Sequence, residues 1–313
     1  MPNDSALTLL VNPRDLEAEI GVEFLARCFG ESWSRAAYRW YLQRVFHREA
    51  PDRLVLVAGK RVLAAVGIAY RQVRTPDGGI HRVAIGVAGC TAPAERGRGR
   101  FSRLWRAAIE HCAARGCTAI LGFVTTDNAT YRELRRVGAA AIPSSYIASA
   151  DPPKESATTV LEVSEIAQTE WRDYADAALQ LQSSTAVAGF HYPDADVWRS
   201  QFVDRPYPVE LLRMGDTSRA IIERVDDTDR LQWFDGDPQE QGAAIAAMVL
   251  RARRAHRRFF MYSTAAVPAA TLQGCGLSAR PGSMMAQATR PGYEPIVRSW
   301  STLPWAVYSG DRM

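Results

Sequence analysis

Between Thr91 and Trp105 the chain reads TAPAERGRGRFSRLW. Arg96, Arg98, Arg100 and Arg103, with Gly97 and Gly99 among them, stand directly before an amphipathic helical pattern. Positive charge at a helix start opposes the helix dipole, so a negative partner is expected there. A glycine-rich turn entering a helix also aims several unpaired backbone N–H groups at one point, which makes an anion site. Glycine lets a phosphate reach the main chain without meeting a Cβ atom. Guanidinium groups on Arg96, Arg98 and Arg100 are expected to add charge-assisted hydrogen bonds. The implied chemistry is binding of a phosphate or pyrophosphate; the competing reading is a solvated basic turn. A P-loop nucleotide module is disfavoured, because the lysine–hydroxyl pair of GxxxxGK[ST] is missing.

The elements that must position this turn can be read from periodicity and punctuation. Helices are expected at about 15–29 and 34–48, with Ser34 as an N-cap. A hairpin turns at Gly59-Lys60, TPDGG makes the next turn, and HRVAIGVAGCT (81–91) is the strand entering the motif. Phe101, Leu104, Trp105, Ala108, Ile109 and Cys112 recur on one face of a helix from Phe101 to Arg115. TAILGFVT (118–125) is a continuous apolar run suited to a sheet centre, and Asn128 to Val137 is a short helix closed by Gly138. SADPPKES marks a linker near residue 150. Beyond it the order recurs: strand TTVLEV, helices at TEWRDYADAALQLQ and 194–203, and a hairpin over YPVELLRMGDTSRAIIERV. Strand RLQWFD, a helix at about 239–256, strand RFFMYST and a short helix ending in GCGL complete the pattern. Two matching mixed α/β lobes are expected, over residues 1–150 and 151–313.

With 313 residues, 47% hydrophobic and 23% charged, the chain describes a globular protein with a sizeable core. Its net charge of +4 suits an anionic ligand. It carries no long basic block, so nucleic acid is a disfavoured partner. RARRAHRR (251–258) is the one other arginine-rich run. The five cysteines form no CxxC pair, which argues against a zinc site or disulfide framework and for a reducing cytoplasm. The opening MPNDSALTLLVNPRD lacks a leader pattern, and no apolar run is long enough for a membrane span, so neither export nor membrane attachment is expected.

Thr91-Ala-Pro93-Ala-Glu-Arg96-Gly97-Arg98-Gly99-Arg100-Phe101 resembles the signature of the GCN5-related N-acetyltransferase (GNAT) superfamily. There a strand ends at a proline and Arg/Gln-x-x-Gly-x-Gly/Ala opens a helix. The resemblance implies a mixed α/β fold of two tandem GNAT-like lobes, each a mostly antiparallel sheet flanked by helices. It also implies that the turn Arg96–Phe101 binds the pyrophosphate of acetyl-CoA or another short-chain acyl-CoA. The strand edge from Ala88 to Thr91, Cys90 included, would pair with the pantetheine arm. DNATYRELRRVGA resembles the segment that packs beside the cofactor tail, placing Asn128 and Tyr131 on the cofactor side. The likeness is close over residues 6–150 and architectural over 158–290.

This chain departs from the family at two positions. Phe101 stands where Gly or Ala is usual, so its side chain must turn into the core. Leu134 stands where many relatives carry the tyrosine that protonates the leaving thiolate; Tyr131, one helical turn earlier, is the substitute candidate. The motif strand has no carboxylate to serve as base. Asp127 is a candidate, against a role as helix N-cap. His191, in a loop-like segment with Tyr192, is another, against an ordinary surface loop. Cys90 is read as a small core residue rather than a nucleophile, and His81 as exposed at a turn. Trp33, Tyr38, Trp40 and Tyr41 either line an acceptor pocket or belong to the core. The acidic VDDTDR (225–230) reads as a hairpin end.

In the second half, FDGDPQEQGAAI takes the place of the arginine–glycine turn. Asp235, Asp237 and Glu240 would repel a pyrophosphate by on the order of a kcal/mol or more per pair. That lobe is expected to lack cofactor and to shape the acceptor pocket. The expectation is a metal-free, acyl-CoA-dependent N-acyltransferase acting directly on a small primary amine. The alternatives are a silent acyl-CoA-binding or regulatory protein, or a same-fold transferase using an aminoacyl-tRNA donor or hydroxyl acceptor.

Overall fold

The computed structural model describes residues 7–13, 18–30, 33–149, 161–184, 186–237 and 239–312. The first half runs β1 (Leu7–Val11), α1 (Ala18–Phe29), α2 (Arg35–Leu42), β2 (Asp52–Ala58), β3 (Arg61–Arg74), β4 (Ile80–Thr91), α3 (Arg100–Ala114), β5 (Ala119–Thr125), α4 (Ala129–Arg136) and β6 (Ala140–Ser149). The second runs β7 (Val163–Ile166), α5 (Trp171–Ser184), β8 (Gly189–Phe190), α6 (Ala195–Phe202), β9 (Val209–Met214), β10 (Ser218–Val225), β11 (Thr228–Asp235), α7 (Gln241–Arg254), β12 (Arg258–Ser263), α8 (Ala269–Gly274) and β13 (Leu277–Ala288), followed by α9 (Glu294–Ser299).

All strands join one mixed sheet in the order β1-β2-β3-β4-β5-β13-β6-β12-β11-β10-β9-β7, with β8 added against β3. Each half contains one parallel pair crossed by a helix: β4–α3–β5 (Val83↔Ala119) and β11–α7–β12 (Thr228↔Arg258). The remaining pairings are antiparallel. The strand–helix–strand crossover of the first half thus recurs in the second. The final strands of the two halves are exchanged. β13 pairs with β5 (Met284↔Phe123), while β6 pairs with β12 (Met261↔Ile147). Each half thus completes the other's sheet.

Side-chain alternation assigns the two faces. Val73, Val83, Ile85, Val87 and Leu121 face a core shared with α1, α2, α5 and α6. Ile68, Tyr70, Ala84 and Ile120 face α3 and α4. The second half buries Leu231, Phe259 and Met261 under α7.

Several boundaries differ from expectation. The second helix ends at Leu42, because the chain turns tightly at Phe46↔Glu49, with His47 and Arg48 at left-handed φ values of 46° and 66°. Ser34 does cap it, accepting from Ala37 N at 3.0 Å. The short helix is capped by Asn128, whose Oδ1 accepts from Thr130 N at 2.8 Å, so Asp127 is not the cap. Strands β6 and β13 were not anticipated. The SADPPKES linker beyond Ser149 and the start of TTVLEV lie outside the described residues.

Candidate active site

Parallel pairing of β4 with β5 stops at Ile85↔Leu121. Beyond it Ala88–Thr91 has β3 on one side and, among the described residues, no strand on the other. The β3–β4 register jumps between Gly67↔Val87 and Ala65↔Cys90, which bulges out Ala88 and Gly89. Ala88 is held at φ 49°, a left-handed conformation that costs a non-glycine residue roughly 1 kcal/mol or more and clusters at functional sites. The result is a cleft between diverging strands, entered past a strained bulge. An apolar cavity of about 20 Å³, bordered by Phe24, Leu42, Val55, Gly67 and Ala88, lies beside it.

Gly97 (φ 76°) and Gly99 (φ 70°) make the turn into α3, and the space over both glycines is open. Among the described residues no backbone carbonyl accepts from the N–H groups of Gly97, Arg98, Gly99, Phe101 or Ser102; the first helical bond is Arg103 N to Gly99 O. These are the unpaired donors an anion needs. The side chains supply a correction. Arg96 Nη2 donates to Cys28 O at 2.7 Å, tying the turn to the end of α1. Arg61 and Arg100 close on the Glu95 carboxylate at 3.0 and 3.2 Å, with Arg98 at 3.8 Å. Although burial opposes it, hydrogen bonds from Arg100 and Arg61 hold the Glu95 carboxyl below its ordinary value. The negative partner demanded by the charge pattern is therefore already in the chain, and what the turn leaves open is main-chain N–H groups rather than guanidinium groups.

Phe101 turns inward, as its bulk requires. It stacks on Trp105 at 5.8 Å and lies over Gly89. Leu134 is only 1% exposed and packs on Gly122, so it fills the seam without offering a proton. Tyr131 is half-buried against the same cluster as Phe101. Ser102 Oγ donates to Glu133 at 2.6 Å, joining α3 to α4. The turn, Asn128 and Tyr131 therefore share one face of the sheet.

The other candidates are dispersed. Asp127 follows the open end of β5 but is exposed and ion-paired with Arg280; hydrogen bonds from Thr125 and Arg280 hold its carboxyl below the ordinary range, making it a weak base. His191 donates its backbone N–H to Gln72, which pairs with Arg82 on β4. Arg82 precedes the Ala88 bulge by six strand residues, roughly 20 Å. Burial, with Arg74 nearby, pushes the His191 imidazole below its ordinary value. Cys90 is buried, and its contact with Cys28 together with desolvation pushes its thiol far up. Thr91 pairs with Ala64 at the cleft edge. Tyr38, Trp40 and Tyr41 are core residues, Trp40 Nε1 donating to Asp204 O at 2.6 Å. His81 meets Trp300 edge-on at 5.5 Å. In RARRAHRR, Arg257 reaches Asp229 at 2.5 Å and Arg251 reaches Glu210.

The corresponding cleft of the second half is filled. β11–β12 pairing ends at Leu231↔Met261. Tyr262 N then donates to Ser309 Oγ, Ser263 bridges Tyr308, and Gly310 lies against Gln232 O. Before α7, Asp237 Oδ1 accepts from Gln239 N at 2.8 Å, so a carboxylate takes one of the donors there. The acidic turn agrees with the reading of Asp237 in the sequence, whereas the tail's place in the cleft has no signal there.

Residues 19–138 match the acetyltransferase (GNAT) family. No curated protein matches the chain. Among solved structures, a tandem GNAT protein from the clavulanic acid biosynthesis pathway matches at TM-score 0.62 and 14% identity, over 91% of this chain and 99% of that one. A GCN5-related N-acetyltransferase from Anabaena variabilis matches at 0.60 and 14%, over 91% and 73%. A putative acetyltransferase from Pyrococcus horikoshii matches at 0.60 and 10%, over 99% and 97%. Residues 19–138 thus carry the match to the GNAT acetyltransferase family, and the full length takes the fold of these solved structures.

Proposed function

We propose that the chain is an acyl-CoA-dependent N-acyltransferase that passes an acetyl or short acyl group to the primary amine of a small molecule. The observation that carries this reading is the open set of main-chain donors at Gly97, Arg98, Gly99, Phe101 and Ser102, set beside a cleft where β4 leaves β5. Residues Arg96–Phe101 would hold the diphosphate, Ala88–Thr91 the pantetheine arm, and Asn128 and Tyr131 would border its tail. Bound there, an acyl-CoA supplies a thioester whose carbonyl carbon forms the new C–N bond as the C–S bond breaks, with one amine proton balancing the released thiol. The bulge at Ala88 turns backbone toward the cleft, where an N–H can stabilise the developing oxyanion. The small cavity beside Ala88 favours a short acyl chain.

Tyr131 is proposed as the proton donor to the thiolate, since Leu134 cannot serve. With Asp127 ion-paired and His191 remote, the amine's proton leaves through water rather than to an adjacent side-chain base. The second half is proposed to bind no cofactor, because its own tail occupies the matching cleft. The missing carboxylate on β4 and the buried Leu134 favour one other reading, a silent acyl-CoA-binding protein. Acyl transfer from acetyl-CoA to pooled amines, followed by mass spectrometry, separates the two. N-acylated products establish the transferase; tight acetyl-CoA binding without product establishes the silent binder.

A further inference from the structure

Tyr38 is fully buried on α2, and its hydroxyl has no hydrogen-bond partner among the described residues. Gly21 brings the α1 main chain so close that a Cβ there would collide with Tyr38 Oη. Gly21 and Tyr38 both line the small cavity beside Ala88, so the hydroxyl sits at the α1 end of it. The bulge is the other end: Ala88 lines the cavity and belongs to the unpaired edge of β4, and Gly89 next to it is exposed. Across the sheet Val87 pairs with Gly67 and Gly67 with Arg53, whose guanidinium lies 5.6 Å from the Tyr38 ring. Two strand spacings, roughly 10 Å, therefore separate the bulge from the residue beneath Tyr38. Gly67, in the middle of that path, presents no side chain, and Leu42 closes over it as a roof.

The wall is otherwise apolar. Of the residues lining the cavity, only Tyr38 and Arg53 carry polar side chains. A buried polar group left without a partner is unfavourable and calls for an explanation. An alkyl chain in the cavity would leave the phenol unsatisfied, whereas an acyl group with an oxygen of its own would complete it. Because a phenol both donates and accepts, a hydroxyl suits it. About 20 Å³ admits only a small group.

We propose that Tyr38 sets the donor specificity: the cavity takes the far end of a short acyl group that carries a hydroxyl, and Tyr38 Oη hydrogen-bonds that hydroxyl. The inference rests on the transferase reading and names the acyl group it leaves open, a short hydroxyacyl in preference to an alkyl of the same size. A site built to hydrogen-bond a substrate hydroxyl rejects the analogue lacking it far more strongly than an apolar pocket sorts by size.

The test compares isosteric thioesters, glycolyl-CoA against propionyl-CoA and 3-hydroxypropionyl-CoA against butyryl-CoA, with the full chain and pooled primary amines. At least about tenfold higher kcat/KM for the hydroxyacyl member of one pair is expected, and which pair shows it gives the depth of the phenol. Tyr38→Phe should abolish that preference and raise kcat/KM for the alkyl member, a gain that misfolding cannot produce. Where no product forms, calorimetry reads the same preference as acyl-CoA affinities, and coenzyme A alone should bind both proteins equally. Equal use of both members in both pairs, or a preference that Tyr38→Phe does not move, overturns the role of Tyr38 and leaves the transferase reading standing. A lead for malonyl-CoA over all four assigns the end of the cavity to the Arg53 charge and overturns it as well. Failure of the native chain to bind acetyl-CoA overturns the transferase reading, and the acyl assignment with it.

Discussion

The main-chain N–H of Tyr262 donates to the Ser309 hydroxyl at 2.9 Å, which places the tail segment between β12 and β11. That position corresponds to the open cleft between β5 and β4. One fold, used twice, thus keeps one groove free and closes the other with its own chain. A Cβ on Gly310 would come within 2.7 Å of Gln232 O, a backbone atom with little freedom to move. Gly310→Ala is therefore expected to lower stability by about 1–3 kcal/mol in denaturant titrations. Acetyl-CoA stoichiometry should stay at one per chain in calorimetry. A second binding equivalent in this variant would contradict the assignment of the second half.

Removing the hydroxyl from Tyr131 should separate proton transfer from binding. Tyr131→Phe is expected to lower kcat on the order of 100-fold with acetyl-CoA affinity unchanged. Leu134→Tyr should not compensate, because Leu134 is packed against Gly122; overpacking there costs about 1–3 kcal/mol. Steady-state kinetics beside thermal melts tell these outcomes apart. Unchanged kcat in Tyr131→Phe would remove Tyr131 from the mechanism.

Burial pushes the Asp311 carboxyl up from 3.8 to about 6, despite hydrogen bonds from Tyr192 and Tyr308. A raised carboxyl binds its proton more tightly in the folded state. Its favourable contribution is thus full below pH 3.8 and is lost as pH rises through about 6. The stability difference between the native chain and Asp311→Asn should shift by up to about 3 kcal/mol between pH 4 and 7, moving in favour of the variant. Urea titrations across that range check this. A pH-independent difference would show that Asp311 is not held in its protonated form.

The sequence made the local devices legible. Gly97, Gly99 and Gly138 each take positive φ at the turn or helix end where they were read, and the hairpin at Gly59-Lys60 forms as its turn chemistry requires. The exchanged strands were illegible for two physical reasons. β6 carries Pro143, and β13 carries Arg280, Pro281 and Gly282, residues that argue against a central strand. Their pairing (Pro281↔Ser145, Ser283↔Pro143) also joins segments far apart in sequence, where periodicity gives no guidance. At the site, charge predicted an anion at α3 but could not tell Glu95 from a bound ligand. Spacing likewise could not reveal that the chain after Phe190 joins β3 at the end remote from the bulge, which removes His191 from the cleft.

The central claim is that a diphosphate rests on the main-chain donors between Gly97 and Ser102. Calorimetric titration of acetyl-CoA into the native chain and into the double variant Arg98→Glu, Gly99→Asp tests it directly. One site per chain in the native protein, and loss of binding in a variant that retains its circular dichroism spectrum, is the predicted result. Unchanged affinity in that folded variant would contradict it.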